Sequence, residues 1–246
     1  MTPLVAQVRA ETFMTLRRGE TLLLTVGIPV VFLVFFSTVH VVPTGGTPAV
    51  AFFVPGVLSL AVMSTAMVSL GIATGFERGY GVLKRLGTTP LGRPRLLGAK
   101  IMTVVLVEVV QAAVLVPVGF GLGWNPGGPG GGGVAAGQAI AVALLATIAF
   151  GGIGLLLAGT LRAEVNLAAA NGLYLVLLLL GGMVVPLAKL PAGLADVAKL
   201  LPAAALSDGL HAALGTGSAV PVGAWIVLAV WAVAAPAAAA LTFRWE

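Results

Sequence analysis

The side chains in this sequence that could carry out chemistry are few and far apart. The 246 residues include eight Asp and Glu, two His and no Cys. Without cysteine, the chain can form neither a disulfide framework nor a thiolate metal site, and thiol catalysis is excluded. His40 and His211 are isolated from each other in the sequence, so we interpret both as structural or interfacial rather than as metal ligands.

Glu108 is the most informative single residue. It lies in a long apolar run that is able to cross a membrane, and Gln111 follows on the same helical face. A charge at the centre of a bilayer costs on the order of 2.5–3.5 kcal/mol on insertion scales, so this carboxyl should face protein or water, or be protonated. Two interpretations stay open: a substrate or proton-sensitive site in a conduit, and a neutral acid that is hydrogen-bonded to Gln111 or to a neighbouring helix.

A compact charged segment, residues 77–91, separates two long apolar runs. Val82, Leu83 and Leu86 share one helical face, and the basic residues between them point elsewhere. A proline at position 90 ends this helix, because proline has no N–H to donate and restricts the residue before it. The pattern predicts a short amphipathic helix on a membrane surface, where it could receive force from a soluble partner. The plainer interpretation is an ordinary basic loop of a membrane protein.

The composition of the chain is that of a membrane protein. The chain is 59% hydrophobic and only 9% charged, with a mean hydropathy of +1.10. A soluble domain of this length could not cover its surface with so few charges. Because a helix needs about 20 apolar residues to cross the hydrocarbon core, the chain has room for about six spans and little else. We therefore expect one all-α membrane domain over residues 1–246.

The spans follow from apolar runs and the turn signals between them. Residues 21–76 carry no charge and are divided by a Pro- and Gly-rich cluster at 43–48. A glycine-rich stretch at 127–133 is a second turn, because it lacks the Lys-Ser/Thr of a phosphate-binding loop. The predicted spans are about 21–41, 50–75, 98–122, 134–160, 166–187 and 220–242.

Two further segments should lie at the membrane surface. Residues 1–20 combine charges with an apolar helical face, which predicts an uncleaved interfacial helix. Residues 188–219 are moderately polar and are interrupted by Pro191 and Pro202. They predict one or two short helices outside the membrane or dipping into it.

Lys and Arg set the orientation. If the spans alternate, only Lys189 and Lys199 fall on one side, and the other eleven fall together: Arg9, Arg17, Arg18, Arg78, Lys84, Arg85, Arg93, Arg95, Lys100, Arg162 and Arg244. Basic residues concentrate in cytoplasmic loops. Both termini and the charged segment are therefore predicted to be cytoplasmic.

The charged segment resembles the loop after the second span of ABC-2 type exporter permeases. The resemblance lies in Glu77-Arg78, a glycine, Lys84-Arg85-Leu86 and Thr89-Pro90-Leu91. One departure is visible: the family often reads Glu-Arg-acid-x-Gly-Thr, whereas Arg78 is followed here by Gly79-Tyr80-Gly81-Val82.

A second stretch agrees with the same family. Residues 181–186 followed by Leu190-Pro191 and Leu201-Pro202 resemble its Gly…Pro…Leu-Pro…Leu-Pro series after span five. With the six-span layout, the resemblance covers nearly the whole chain. It is closest to the bacterial branch that exports drugs, lipids or glycans.

This resemblance implies a permease subunit in the bacterial inner membrane that couples ATP hydrolysis to export of a hydrophobic or amphipathic substrate. It implies a homodimer that binds two P-loop ATPase subunits, which supply ATP and Mg²⁺, while this chain is not an enzyme, holds no cofactor and binds no nucleic acid. Membrane lipids surround the spans. The implied contact with the ATPase comprises Glu77, Arg78, Gly79, Leu83, Lys84, Arg85, Leu86, Thr89 and Pro90. The candidate conduit residues are Glu108, Gln111 and Asn171.

Other functions stay open. A secondary transporter working without ATP would favour more intramembrane charges or an inverted repeat, and the sequence has one such acid and no convincing repeat. A membrane enzyme would need His, Asp or Glu clustered near one interface, and no such cluster is present. A non-transporting assembly or immunity protein could share the same layout.

Overall fold

The computed structural model describes residues 19–39, 47–87, 93–127 and 135–243, and these fold as an all-helical bundle. In chain order the α-helices of the described residues are α1 (Gly19–Thr38), α2 (Ala49–Gly79), α3 (Val82–Gly87), α4 (Arg93–Gly121), α5 (Ala136–Thr160), α6 (Ala163–Leu180), α7 (Ala192–Ala198), α8 (Pro202–Leu210) and α9 (Val222–Thr242). A π-helical segment, Ser64–Ser69, lies inside α2, and a second one, His211–Thr216, continues α8.

Five helices are long and apolar enough to cross a membrane: α2, α5, α6, α9 and the Leu96–Gly121 part of α4. They correspond to the predicted spans two to six. The predicted first span coincides with α1, whose described apolar part, Thr25–Thr38, is shorter than a span. The count of six therefore stays a prediction. The predicted interfacial helix falls in residues 1–20, almost all of which lie outside the described residues.

Several helix boundaries differ from those predicted. Helix α2 continues to Gly79, so that Glu77 and Arg78 belong to the helix rather than to a loop. Helix α6 starts at Ala163 and ends at Leu180, before the Gly181-Gly182 pair. Gly182 has φ +70°, a conformation that glycine adopts readily and that ends a helix. At this position the left-handed glycine ends the helix although apolar residues follow it.

Helix α2 is the central element of the bundle. In its most apolar 18-residue window, 89% of the residues are buried, against 28% for α4 and 22% each for α6 and α9. Its small polar residues allow this: Ser59, Thr65 and Thr74 are all buried. The hydroxyl of Ser59 donates to the backbone carbonyl of Pro55. The remaining spans present apolar faces outward, as lipid-exposed helices do.

Close contact between α2 and α5 depends on glycine. A Cβ added at Gly154 of α5 would lie 2.6 Å from the backbone oxygen of Met67, and one added at Gly71 would lie 3.0 Å from the backbone oxygen of Gly154. On the other side of α5, a Cβ at Gly152 would lie 2.5 Å from the nitrogen of Pro236 in α9. Small residues in α5 therefore hold three helices at backbone contact.

The segment after α6 returns to the bundle core. Helix α8 is buried along most of its length. The two ring nitrogens of His211 lie 2.7 Å from the carbonyl oxygen of Ser207 and 2.9 Å from that of Phe52. His211 thereby fixes the end of α8 to the start of α2, in agreement with its structural interpretation. His40 lies outside the described residues.

The glycine contact gives the first prediction. Replacing Gly154 by Ala should destabilise the protein by roughly 1–3 kcal/mol, because the added methyl group must push backbone apart. The matched control is Gly137→Ala in the same helix, where a Cβ meets no atom within 4 Å and where Ala favours the helix by about 1 kcal/mol. Thermal unfolding in detergent should show a lower Tm for Gly154→Ala only; equal Tm values would contradict the contact.

Candidate functional site

At one end of the bundle, charged residues of α2 and α4 pair with each other. Lys100 Nζ lies 2.6 Å from Glu77 Oε2, and the side chain of Lys100 is only 4% exposed while that of Glu77 is 33% exposed. A buried lysine needs such a partner, because an uncompensated charge away from water is costly. The pair therefore fixes the last turn of α2 to the first turns of α4.

Arg78 makes a second connection at the same end. Its guanidinium donates from Nη1 to the carbonyl oxygen of Gly159 and from Nη2 to that of Leu161. Both carbonyls lie at the C-terminal end of α5, where backbone oxygens lack partners within the helix. A cation there also interacts favourably with the helix dipole. Arg78 therefore caps α5 and ties it to α2.

Helix α3 is folded back against this end of the bundle. Gly81, with φ +70°, allows the sharp turn between α2 and α3. Leu83 is fully buried and packs with Leu96 of α4 and with Phe243, just beyond α9. The outward side of α3 and of the turn before it carries Tyr80, Val82 and Lys84, with Tyr80 75% exposed.

The predicted ATPase-contact residues therefore divide into two groups. Glu77, Arg78 and Leu83 make contacts within the chain, so Leu83 is an anchor of α3 and not an outward-facing residue in this structure. Lys84 is exposed and Gly79 lies in the last turn of α2. Thr89 and Pro90 lie outside the described residues, as do the side chains of Arg85 and Leu86. An amphipathic pattern identified an apolar face, but it could not tell whether that face is covered by this chain or by a partner.

A cavity of about 260 Å³ lies between α4 and α5, with α2 and the end of α8 behind it. Glu108 and Gln111 line this cavity, and its other lining residues are apolar. Glu108 stands near the middle of the membrane-crossing part of α4. The structure thus brings together two of the three predicted conduit residues.

The carboxyl of Glu108 bonds to α5 rather than to Gln111. Thr147 Oγ1 lies 2.7 Å from Glu108 Oε2 and 2.9 Å from the carbonyl oxygen of Ala143. Thr147 is fully buried and was not predicted as a site residue. A hydroxyl in the middle of the apolar run 140–158 is the sequence signal that could have identified it.

Gln111 is a structural residue of the cavity wall. Its side-chain oxygen accepts a hydrogen bond from Thr65 of α2 at 3.1 Å, and its Nε2 donates to the carbonyl oxygen of Thr25 in α1 at 3.0 Å. That carbonyl is the one that Pro29 leaves without its usual helical donor. Gln111 therefore supplies a donor to a carbonyl that Pro29 cannot serve, as intramembrane side chains do beside a proline.

Asn171 lies away from the cavity. It is exposed, and its Nδ2 donates to the carbonyl oxygen of Leu167 in its own helix. The neighbouring Asn166 is fully buried and donates to the carbonyl oxygen of Gly71, which ties the start of α6 to α2. Within the described residues, no three His, Cys, Asp or Glu are grouped so as to hold a metal ion.

Comparison with known families identifies this architecture. A family model described as ABC-2 type transporter matches residues 4–214. The chain belongs to the ABC-2 type transporter family. The match runs from before α1 to the π-helical segment that follows α8, and it includes both the charged end and the cavity. A search among curated proteins found no match.

Membership in this family, together with the apolar helices, makes the chain a multi-pass membrane protein and the permease domain of an ABC transporter. The ABC-2 domain is a transmembrane permease and not itself an enzyme. Permeases of this family normally pair with an ATP-binding subunit. The resemblance inferred from the two motifs is thereby confirmed.

The ion pair gives the second prediction. Lys100→Met should lower stability by up to roughly 3–5 kcal/mol, because it leaves Glu77 without its partner in a largely buried place. Adding Glu77→Gln should recover part of this loss. Thermal unfolding of the wild type, the two single variants and the double variant forms a double-mutant cycle, which measures the interaction energy between Glu77 and Lys100. The exposed pair Asp196 and Lys199, 3.0 Å apart, supplies the control, and Lys199→Met should change little. Additive effects at Glu77 and Lys100 would contradict the interaction.

Proposed function

We propose that this ABC-2 permease is the membrane subunit of an ATP-driven exporter and that α3 is its coupling helix. The observation that carries the proposal is the convergence of three ties beside α3. Glu77 pairs with Lys100, Arg78 caps α5, and Leu83 packs against Leu96. A force applied to α3 would reach α2, α4 and α5 through these contacts.

The proposed contact surface for the ATPase is the outward side of this region. Tyr80 is 75% exposed and stacks on Phe76, with ring centroids 6.1 Å apart. Val82 and Lys84 are exposed beside it. An exposed aromatic ring next to a cation is typical of a protein interface. Arg85, Leu86, Thr89 and Pro90 follow directly in the chain and stay within the proposed surface.

The rest of the assembly follows from this arrangement. The ATPase subunits would hold ATP and Mg²⁺, and two copies of the chain would pair with two of them in the bacterial inner membrane, with both termini in the cytoplasm. The basic residues at the α3 end support that orientation, since Lys and Arg concentrate in cytoplasmic loops. The apolar outward faces of α6 and α9 support contacts with lipid and with a second copy, with Asn171 on one of those faces.

The cavity supports export of a hydrophobic or amphipathic substrate, because its wall is apolar apart from Glu108 and Gln111. The same carboxyl favours one alternative function. An acid buried in a membrane can carry a proton, so an ATP-independent secondary transporter driven by a proton gradient would also use Glu108. A non-transporting assembly or immunity protein would need neither the cavity nor the coupling helix.

The proposal predicts co-purification with a P-loop ATPase. Purified from its host in mild detergent, the wild-type chain should bring down about one ATPase subunit per chain. The double variant Tyr80→Asp and Lys84→Glu should lower the yield at least about tenfold, which corresponds to roughly 1.4 kcal/mol. Its Tm, measured in parallel, separates a lost ATPase contact from a lost contact within the chain, such as the stacking of Tyr80 on Phe76. Lys199→Glu, beyond the opposite end of α6, is the matched control and should retain the ATPase.

Each outcome is informative. Leu83 is left intact in these variants, because its replacement would disrupt packing and binding together. An ATPase that is retained by the double variant would move the contact away from this surface. A dimeric wild-type chain without any ATPase would favour the secondary transporter or the assembly protein.

A further inference from the structure

The cavity between α4 and α5 is reached from the side of the bundle. The residues on its rim include Val109 of α4 and Ile140 and Leu144 of α5, which are 59%, 60% and 42% exposed. Because these two helices are membrane spans, their outward surfaces face hydrocarbon. A ligand that enters here therefore has to partition into the membrane before it binds.

The single charged residue among those that line the cavity is Glu108. Its Oε2 contacts Thr147, whereas its Oε1 is shielded from water and has no hydrogen-bond partner among the described residues. Buried carboxyl oxygens normally have partners, and one without a partner calls for an explanation. The cavity beside it has space for a group that could supply the missing donor once the Glu108 side chain rotates to expose this oxygen.

The hydrogen bonds of Thr147 indicate whether Glu108 is protonated when the cavity is empty. A threonine hydroxyl carries one proton, so it can donate to Ala143 or to Glu108, but not to both. If Glu108 is protonated, its O–H donates to Thr147 and the hydroxyl donates to Ala143, so that both observed contacts are hydrogen bonds. An ionised carboxylate would leave one of these acceptors without a proton. The geometry therefore suits a neutral acid in the empty cavity.

The residues that line the cavity restrict which class of ligand can bind there. A glycan would lose its hydrogen bonds to water on entering an apolar cavity, and it would find only two polar side chains there. A bare metal ion would need more oxygen ligands than one carboxyl and one amide provide. An anion would find no cationic side chain among the lining residues to balance its charge. An ammonium group with an apolar body satisfies all of these conditions, because its charge and N–H donors match the carboxyl.

We propose that this cavity binds a lipophilic ammonium ion, which Glu108 holds by giving up its carboxyl proton in exchange for the ammonium group. The O–H bond of the acid breaks, the proton leaves to solvent, and the carboxylate accepts hydrogen bonds from the ligand nitrogen or pairs with its charge. The net charge of the site is neutral before and after the exchange. That the bound ammonium ion is also the exported substrate rests on the function proposed above.

Equilibrium binding to the full-length chain in nanodiscs tests this site. The discs contain phosphatidylcholine alone, so that the lipid surface carries no net charge that would attract cations. Three radiolabelled probes of equal chain length are compared: N,N-dimethyldecylamine, the permanently charged decyltrimethylammonium, and the neutral N,N-dimethyldecanamide. The two cations should bind saturably, and the amide should bind at least about tenfold more weakly, since it carries no charge for the carboxylate.

Variants connect the binding to the residues. Glu108→Gln should weaken both cations at least about tenfold and leave the amide unchanged. The control Glu164→Gln, an exposed acid in the first turn of α6, should bind like the wild type. Ala112→Phe should reduce binding of all three probes by filling the cavity. Equal binding of the cations by Glu108→Gln and wild type, or full binding by a folded Ala112→Phe, would overturn the proposal.

The pH dependence tests the proton exchange separately. Binding of decyltrimethylammonium should strengthen as the pH rises, by up to about tenfold per pH unit, because one proton is released for each cation bound. The neutral amide should show no such trend. Of the residues that line the cavity on α2, α4, α5 and after α8, only Glu108 titrates; Asp208 and His211, near the end of α8, are not among them. Cation binding that is independent of pH in the wild type would overturn the exchange.

The binding assay contains no ATPase, so it fails or succeeds independently of the proposed function. Saturable, Glu108-dependent binding without ATP-driven transport of the amine in reconstituted vesicles would keep the site and contradict the exporter. ATP-driven transport of other compounds without cation binding would keep the exporter and overturn this site.

Discussion

The bundle depends on the backbone contact between α2 and α5. Gly71 and Gly154 bring the two helices so close that no side chain fits between them, and Arg78 of α2 caps the carbonyls at the end of α5. In a membrane the hydrophobic effect does not drive helices together, so close packing and hydrogen bonds must do so. The buried position of α2 and the packing of α9 on the other side of α5 follow from this contact.

A second constraint is that polar groups within the spans must find partners inside the protein. Gln111 donates to the carbonyl of Thr25 and accepts from Thr65. Asn166 donates to the carbonyl of Gly71. These side chains are accounted for by the stability of the bundle. A buried oxygen without a partner is present in both Asn166 and Glu108, but only that of Glu108 belongs to a residue that lines the cavity described above.

Sequence patterns predicted the elements better than the contacts between them. Apolar runs separated by Gly and Pro located spans two to six, because the length of a span is set by the bilayer. The end of α6, at Leu180, was placed seven residues too late. The packing partners of individual side chains could not be predicted, because they depend on contacts between helices. Of the predicted apolar face of α3, Leu83 packs against Leu96 whereas Val82 is exposed. Glu108 bonds to Thr147 of another helix, and Asn171 lies away from the cavity. A helical pattern gives the direction of a face but not its neighbour.

Helices α2 and α4 form a pair that is joined at two levels, by Glu77 with Lys100 and by Thr65 with Gln111. Lys100 and Glu108 lie about 12 Å apart along α4, at 1.5 Å per residue, so α4 connects the charged end to the cavity. Beside the cavity, the contact between Glu108 and Thr147 connects α4 to α5. Ionisation of Glu108 makes its carboxylate compete with Ala143 for the one proton of Thr147. A change of charge at the cavity therefore alters the connection between α4 and α5, the two helices that the cavity separates.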